Sequence, residues 1–290
     1  MTVWVILAVF NRREYTIKCL ELIVAQTWHD IKIVVVDDGS TDNTADAIRE
    51  RFPEVNLIQG DGNLYWTGAM RVGVGAVLQA CSDDDYVLVV NDDLVFDDDF
   101  VESLIAASRR HPNALIHASN SFLDNKDVVD FGGRRINWWT AKGRWINRGR
   151  LRSDFPPGYC EPSDVLWGRG MLVPVRIIKQ IGNYDPRYQQ SGDPEFSRRA
   201  AKAGFELLVA YSVVAYKYPE NKPNINERNE YALVELKDFF FGVHSQARIK
   251  TLFLSSMLMT TNLFQGMVFF CFYVARHALH FFRHVRRIWR

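Results

Sequence analysis

Hydrophobic and polar positions alternate with two periods along this chain. Val3–Val9 is an apolar, β-branched run, and Ile17, Leu20, Ile23 and Val24 then recur at helical spacing. Asn11, between them, reads as the helix N-cap. Ile31–Val36 is a second run, rich in Ile and Val and suited to a strand buried on both faces. It stops at Asp37-Asp38-Gly39-Ser40-Thr41-Asp42, turn and cap chemistry leading into a helix near 43–51. Val55–Gln59 predicts a third strand, followed by a glycine-rich loop and a helical stretch to about Ala80. Tyr86–Val90 predicts a fourth strand, with a helix over 98–109 and a strand over Leu115–Ala118 beyond it. Strands alternating with helices at this pace predict an α/β fold with a mostly parallel central sheet and helices on both faces.

Regularity fades between 119 and 164, which reads as an insertion or an antiparallel excursion rich in Arg, Trp and Gly. Helical patterns resume at Pro174–Ile181 and Pro194–Ala203, with Gly204 as a stop. Glu206–Ala210 and Val213–Lys217 predict two short strands. From about 232 the chain becomes an aromatic, helix-compatible tail. The expected division is 1–230, split near 118 into two halves, followed by a helical region over 231–290.

Composition narrows the class. With 290 residues, 48% hydrophobic and 24% charged, the chain can bury a substantial core and is not a disordered protein. A net charge of +1 gives no global field for nucleic acid, and none is expected as a partner. Four dispersed cysteines without a C-x-x-C pair argue against a structural zinc site. The first residues enter a strand at once, without the layout of a secretion signal, which points to the cytoplasm.

Three of the first four strands end in Asn or Asp: Asn11, Asp37-Asp38 and Asn91-Asp92-Asp93. Open parallel sheets bind ligands beyond the carboxyl ends of their strands. Strand-to-helix turns favour Asp and Asn in any case, but adjacent carboxylates repel and call for a compensating charge, most simply a divalent cation. Neither a G-x-G-x-x-G nor a G-x-x-x-x-G-K-[ST] motif is present. Phosphates would therefore be held by acids and a metal, not by a glycine cradle.

Val9-Phe10-Asn11-Arg12 followed by Val36-Asp37-Asp38-Gly39-Ser40-Thr41-Asp42 resembles the opening of the family-2 glycosyltransferases. The resemblance continues through Gly62-Asn63-Leu64, Gly68, Asn91-Asp92-Asp93, Gly168-Arg169-Gly170-Met171 and Gly192-Asp193-Pro194-Glu195-Phe196 with Arg199. It covers about residues 3–217 and implies the GT-A nucleotide-sugar-binding fold. It further implies that Ala8, Phe10, Asn11, Arg12, Asp38, Asn63, Arg71 and Asp92 line the donor site. Asn91-x-Asp93 falls where the family has its D-x-D, so that Asp93, with Asn91, would hold Mn²⁺ or Mg²⁺ as a Lewis acid on the diphosphate.

By the same resemblance Asp193 is the catalytic base, taking the acceptor hydroxyl's proton with inversion at the anomeric carbon. Asp193 fits an N-cap ahead of Pro194 as well, and both can hold. Trp167, Gly168, Arg169 and Gly170 would form the acceptor-side loop, and Arg199 would face a phosphate. Three departures stand out: Arg71 where many members carry a small or amide residue, Asn91 at the first D-x-D position, and no histidine in Tyr216-Lys217-Tyr218-Pro219.

Residues 134–152 interleave Arg134, Arg135, Lys142, Arg144, Arg148, Arg150 and Arg152 with Trp138, Trp139 and Trp145, which suits a phosphorylated or lipid-diphosphate acceptor or a structural hairpin. Thr251–Ala275 carries no charge and is long enough to span a bilayer, although its Ser, Thr and Asn suggest a helix lying in an interface. Ala278, Phe281, Phe282, Val285, Ile288 and Trp289 form an apolar stripe among Arg283, Arg286, Arg287 and Arg290. That pattern predicts a cationic amphipathic helix for an anionic membrane surface. The expected activity is transfer of a sugar from a UDP-, dTDP- or GDP-linked donor to a lipid-linked glycan, at the cytoplasmic face of the inner membrane, in surface polysaccharide or O-antigen synthesis. A sugar-phosphate nucleotidyltransferase and a non-catalytic scaffold of the same fold are the alternatives.

Overall fold

The computed structural model describes residues 1–219, 231–245 and 247–285. Two compact units divide the chain: Met1–Arg135 with Trp145–Pro219, and Ile136–Arg144 with Glu220–Arg290. In chain order the strands are β1 (Val3–Val9), β2 (Ile31–Asp37), β3 (Asn56–Gln59), β4 (Tyr86–Asn91), β5 (Leu94–Val95) and β6 (Ala114–Phe122). They continue as β7 (Arg134–Asn137), β8 (Lys142–Trp145), β9 (Cys160–Pro162), β10 (Met171–Pro174) and β11 (Glu206–Lys217). The helices of the first unit are α1 (Arg13–Val24), α2 (Thr44–Arg51), α3 (Tyr65–Leu78), α4 (Phe100–Arg110), α5 (Val175–Ile181) and α6 (Asp193–Lys202).

The main sheet runs β3-β2-β1-β4-β10-β6-β11-β5, with β9 added against β11. Strands β3, β2, β1 and β4 are mutually parallel, as are β6 and β11, while β10 lies antiparallel between β4 and β6. The sheet is therefore mixed but mostly parallel, as the alternation of strands and helices predicts. Strand periodicity sorts β1 into two cores. Val3, Val5, Leu7 and Val9 pack with Ile17, Leu20 and Ile23 of α1, Ile48 of α2 and Leu104 of α4. Trp4 and Ile6 face Met70 and Val74 of α3, Ile177 of α5 and Phe196 of α6 on the other side. Each such aliphatic side chain contributes about 1.5–3 kcal/mol by leaving water.

Three local expectations change. Asn11 is not the cap of α1: Arg12 occupies that position, and Asn11 sits in the left-handed region (φ +52°) with its side-chain oxygen accepting from the Thr41 amide at 2.8 Å. Val24 points outward. Residues 206–217 form one strand rather than two, with a register irregularity against β6 between Ala210 and Val214 that absorbs the polar break. The excursion over 123–170 contains the β7–β8 hairpin and β9, the antiparallel element anticipated there.

The second unit holds α7 (Leu236–Phe241), α8 (Ile249–Met259) and α9 (Leu263–His284), with Tyr231, Phe239, Phe240 and Phe281 at its core. The uncharged stretch 251–275 is not one helix. It breaks at Thr260-Thr261-Asn262, where the Asn262 side chain accepts from the Gln265 amide at 2.9 Å and caps α9. The single membrane-spanning helix is thereby overturned: among the described residues no helix is long and apolar enough to cross a membrane. Arg286, Arg287, Ile288, Trp289 and Arg290 of the predicted amphipathic stripe lie outside the described residues.

Gly73 of α3 lies against the sheet, where an added Cβ would fall 2.6 Å from Ile6 Cγ2. Alanine gains about 1 kcal/mol over glycine in helix propensity, whereas overpacking costs about 1–3 kcal/mol. Gly73→Ala is expected to lower unfolding stability by about 1 kcal/mol in a denaturant titration. A raised midpoint would mean that α3 can lift from the sheet freely.

Candidate active site

The carboxyl ends of β1, β2 and β4 meet through side chains, not only through backbone pairing. The loop after β1 is pinned to the loop after β2: the Asn11 amide donates to Ser40 Oγ (2.9 Å) and the Arg13 amide to Asp42 Oδ2 (3.0 Å). Asp42 also accepts from the Thr44 amide at 3.2 Å, one residue ahead of Asn43, which is the N-cap of α2 and makes no side-chain capping bond. Arg12, between these two pins, reaches across to the end of β4. Its Nη1 donates to Asp92 Oδ1 (3.1 Å) and Asp93 Oδ2 (2.9 Å). Asp92 is buried and accepts from Thr16 Oγ1 (3.3 Å), and burial raises its pKa to about 6 against the pull of Arg12.

Asp38 has a structural duty that sequence reasoning missed. Its Oδ1 accepts the amides of Gly62 (3.0 Å) and Leu64 (3.1 Å), and its Oδ2 that of Tyr65 (2.8 Å). One carboxylate thus gathers the donors at the entry to α3. Its neighbour Asp37 holds the unmatched oxygen: Oδ1 accepts the Ser40 amide (2.9 Å), while Oδ2 is buried with no partner among the described residues. Asp37 is the last residue of β2 and Asp38 the first beyond it, so the two adjacent acids reach different partners.

The start of α3 carries Trp66 and Thr67 against the loops that hold Gly168 and Gly192. Thr67 Oγ1 accepts the Gly192 amide (3.2 Å), and the Thr67 amide donates to Gln189 O (3.1 Å). Gly168 lies so close to Trp66 that a Cβ there would stand 2.5 Å from the indole. Gly170 continues this loop onto the sheet, its amide donating to Val89 O (3.0 Å) and its carbonyl accepting from Ala118 N (2.8 Å).

Asp193 is the first residue of α6. It does not cap the helix, as its position before Pro194 suggested: Gly192 is the N-cap. The Asp193 carboxylate instead accepts from Tyr184 Oη (3.1 Å) and from the Gly168 amide. It is 6% exposed, and burial pushes its pKa up to about 7 even though both hydrogen bonds and nearby Arg169 pull it down. Tyr184 is itself fixed by stacking on Phe196 (4.5 Å, 11°) and an edge contact with Trp66 (5.9 Å).

Other predicted site residues fall as follows. Ala8 is half-buried in β1 beside Val36 and Asn91, and Phe10 is exposed beyond it. Asn63 is exposed in the turn ahead of α3, its amide on Asp61 Oδ1 (3.0 Å). Arg71 is exposed on α3, with its carbonyl accepting from Asn183 Nδ2 (2.8 Å). Trp167 packs with Phe131 (5.3 Å) and Trp145 (5.6 Å). Arg169 is half-buried, and its guanidinium makes no hydrogen bond or ion pair within the described residues.

Arg199 departs from expectation. It forks onto Glu195 (3.0 and 3.1 Å) and donates to Ile181 O (2.7 Å) and Asn183 O (3.0 Å), leaving no donor for a phosphate. It clamps α6 to the 181–183 turn, and Glu195 is taken up by the same clamp. Most basic residues of the excursion are also paired within the chain. Arg134 stacks over Trp145, Arg135 pairs with Glu161, Arg148 with Asp130, Arg150 with Asp154, and Arg152 donates to Ser119, Ser121 and the Tyr211 carbonyl.

The oxygen donors for a cation are Asn91, Asp92 and Asp93; among the described residues no group of three or more His, Cys, Asp or Glu forms a metal cage. Mg²⁺ or Mn²⁺ binds through one or two carboxylates when phosphate and water complete its shell. The Asp92–Asp93 pair already holds one cationic group, the Arg12 guanidinium. The residues present fit a cation that arrives with a diphosphate.

Comparison with known proteins bears on the fold and the family. The chain is 25% identical over 197 residues to the N-acetylglucosaminyl-diphospho-decaprenol L-rhamnosyltransferase of Mycobacterium tuberculosis, covering 62% of this chain and 64% of that one. The chain thus spans somewhat less than two thirds of that relative's length. Among solved structures, TarS of S. aureus with UDP-GlcNAc superposes with a TM-score of 0.59 at 16% identity, covering 99% of this chain and 74% of that one. GalNAc-T7 with UDP, GalNAc and Mn²⁺ gives a TM-score of 0.60 at 12% identity, covering 97% and 56%. The fold is the GT-A fold of those enzymes. Residues 4–160, more than half of the chain, match the family described as Glycosyl transferase family 2, and the chain belongs to that family.

Proposed function

We propose that this glycosyltransferase moves a sugar, with inversion, from a nucleoside diphosphate donor to a lipid-linked glycan in cell-surface polysaccharide synthesis. The observation that carries the reading is Asp193: a buried carboxylate, held by Tyr184 and Gly168, with a pKa of about 7. A general base works best when its pKa lies near the operating pH. Asp193 takes the acceptor hydroxyl's proton as that oxygen attacks the anomeric carbon from the face opposite the leaving diphosphate. A single base used once gives inversion. Tyr184 holds the carboxylate in position, and Gly168, packed against Trp66, brings its amide to the same carboxylate. Arg169, with its guanidinium uncommitted, serves phosphate on the acceptor.

On the donor side, Asp37 Oδ2 supports a nucleobase contact, because a buried acceptor without a partner suits an N–H donor. Uracil, thymine and guanine all offer an imino N–H, whereas cytosine does not. Asp93, with Asn91, would hold Mn²⁺ or Mg²⁺, which when bound neutralises charge on the leaving diphosphate. Donors linked to UDP, dTDP or GDP are all consistent with this site. The relative's lipid-linked decaprenol substrate, in its name, supports a lipid-linked acceptor here.

The second unit supports action at an anionic membrane surface, on its cytoplasmic face. Along α9, Phe264 (71% exposed), Met267, Phe272, Leu279 and Phe282 are exposed, with Arg276 and Arg283 beside them. Contiguous exposed apolar side chains of this size mark an interaction surface, and flanking arginines favour anionic lipid.

Three outcomes test the reading. Asp193→Asn is expected to cut turnover by about 10²–10⁴-fold while nucleotide binding persists. The wild-type rate is expected to climb as pH rises through about 7, since the proton must leave Asp193 for it to act. Folding has the opposite slope: the folded chain keeps a proton that the unfolded chain sheds near pH 4. Asp193 therefore lowers stability progressively from pH 4 to 7, and Asp193→Asn should melt with a weaker pH dependence over that window. Near-normal turnover of Asp193→Asn would remove it as the base.

In a thermal-shift panel with Mn²⁺, at least one of UDP, dTDP and GDP should stabilise the protein and CDP should not. No shift with any of them would favour the non-catalytic scaffold. In flotation with phosphatidylglycerol vesicles, replacing Phe264, Phe272 and Leu279 together by serine should weaken association at least about tenfold, and added salt should weaken the wild type. Wild-type protein that stays in the aqueous phase would discard the membrane role.

A further inference from the structure

Arg12 is the feature that the catalytic reading leaves unexplained. Its Nη1 bridges Asp92 Oδ1 (3.1 Å) and Asp93 Oδ2 (2.9 Å), the second of them the carboxylate that the donor's cation would use. We propose that Arg12 is the resident counter-ion of this turn, and that a divalent cation enters by exchanging with it, which makes metal binding conditional on the nucleotide diphosphate. The inference rests on the donor-site reading above and specifies how that site is controlled.

Adjacent carboxylates, one of them fully enclosed by protein, repel unless a positive charge lies between them. Arg12 supplies that charge at every working pH, because a guanidinium does not lose its proton. A free metal ion reaching Asp93 must first break a charge-assisted hydrogen bond and leave a guanidinium beside its own double charge. Alone, it gains little.

A cation that arrives with a diphosphate brings the missing partner. Arg12 can release the acids and fork onto phosphate oxygens, which suit its planar donors as well as carboxylates do. The geometry permits this exchange without moving the main chain. The amides on either side of Arg12, those of Asn11 and Arg13, are fixed to Ser40 and Asp42, while the Arg12 side chain is 46% exposed and free to swing on the solvent side. Charge remains balanced throughout: the acids exchange one cationic partner for another, and Arg12 exchanges one anionic partner for another.

The test measures metal binding directly. Full-length protein is titrated with Mn²⁺ at pH 8, following loss of the free-ion electron paramagnetic resonance signal, with and without UDP. The wild type is expected to bind Mn²⁺ at least tenfold more tightly with UDP than without it. Arg12→Gln is expected to bind Mn²⁺ alone at least tenfold more tightly than the wild type does, and to lose most of the UDP enhancement. Arg12→Gln that binds Mn²⁺ no more tightly than the wild type overturns the proposal. Melting curves establish that the variant is folded. If it is not, Arg12→Lys serves instead, with an expected gain of at least threefold, and an unchanged affinity overturns the proposal equally. Failure of the donor reading is seen separately, as an absence of any UDP effect in the wild type, because the comparison of Mn²⁺ alone needs no nucleotide.

Discussion

The site depends on one carboxylate that touches neither reaction partner in the proposed chemistry. Asp38 draws together the amides of Gly62, Leu64 and Tyr65 and so fixes where α3 begins. The position of Asp193 is measured from that point. Trp66 meets Gly168 and Tyr184, Thr67 receives the Gly192 amide, and Gly192 immediately precedes Asp193. A helix start has several donors that need acceptors. Satisfying them from the end of β2 makes the two halves of the site a single hydrogen-bonded assembly.

Electrostatics in this assembly work against folding and toward chemistry. Asp92 and Asp193 are both buried deeply enough for their pKa values to rise, to about 6 and about 7. Apolar residues of similar size would be less costly at either position. The structure tolerates them because each has specific partners: Arg12 and Thr16 for Asp92, Tyr184 and Gly168 for Asp193. Arg199 contributes at a distance, locking α6 against the 181–183 turn so that the Asp193 main chain cannot drift.

Much of this was legible in the sequence, for identifiable reasons. The strands and helices of the sheet follow from hydrophobic period alone, since β1 must serve two cores and α1 only one. The acids at strand ends were legible because parallel topology leaves few places for them. What stayed hidden depends on where a side chain points across a gap in sequence. Asn11 looks like a cap but braces the 40–42 loop, and Arg199, expected to face a phosphate, is fully engaged by Glu195 and two carbonyls. The division of labour between Asp37 and Asp38 turns on a loop more than twenty residues downstream. In the tail, absence of charge over 251–275 suggested one long helix. Three consecutive side chains able to bond to the backbone outweighed it.

The reversed direction of β10 has an architectural consequence. An antiparallel strand begins where its parallel neighbours end, so the loop feeding β10 is delivered to the same edge as the loops that leave β1, β2 and β4. The whole path from 123 to 170 departs from β6 and returns through β10, two strands that are hydrogen-bonded to each other. Its ends therefore stay together whatever lies between them. Only the parts of the path that return to the sheet are tied to it, through β9 against β11 and through Val129, Phe131 and Leu166 in the core, so length can vary between those anchors without opening the junction of β6 and β10.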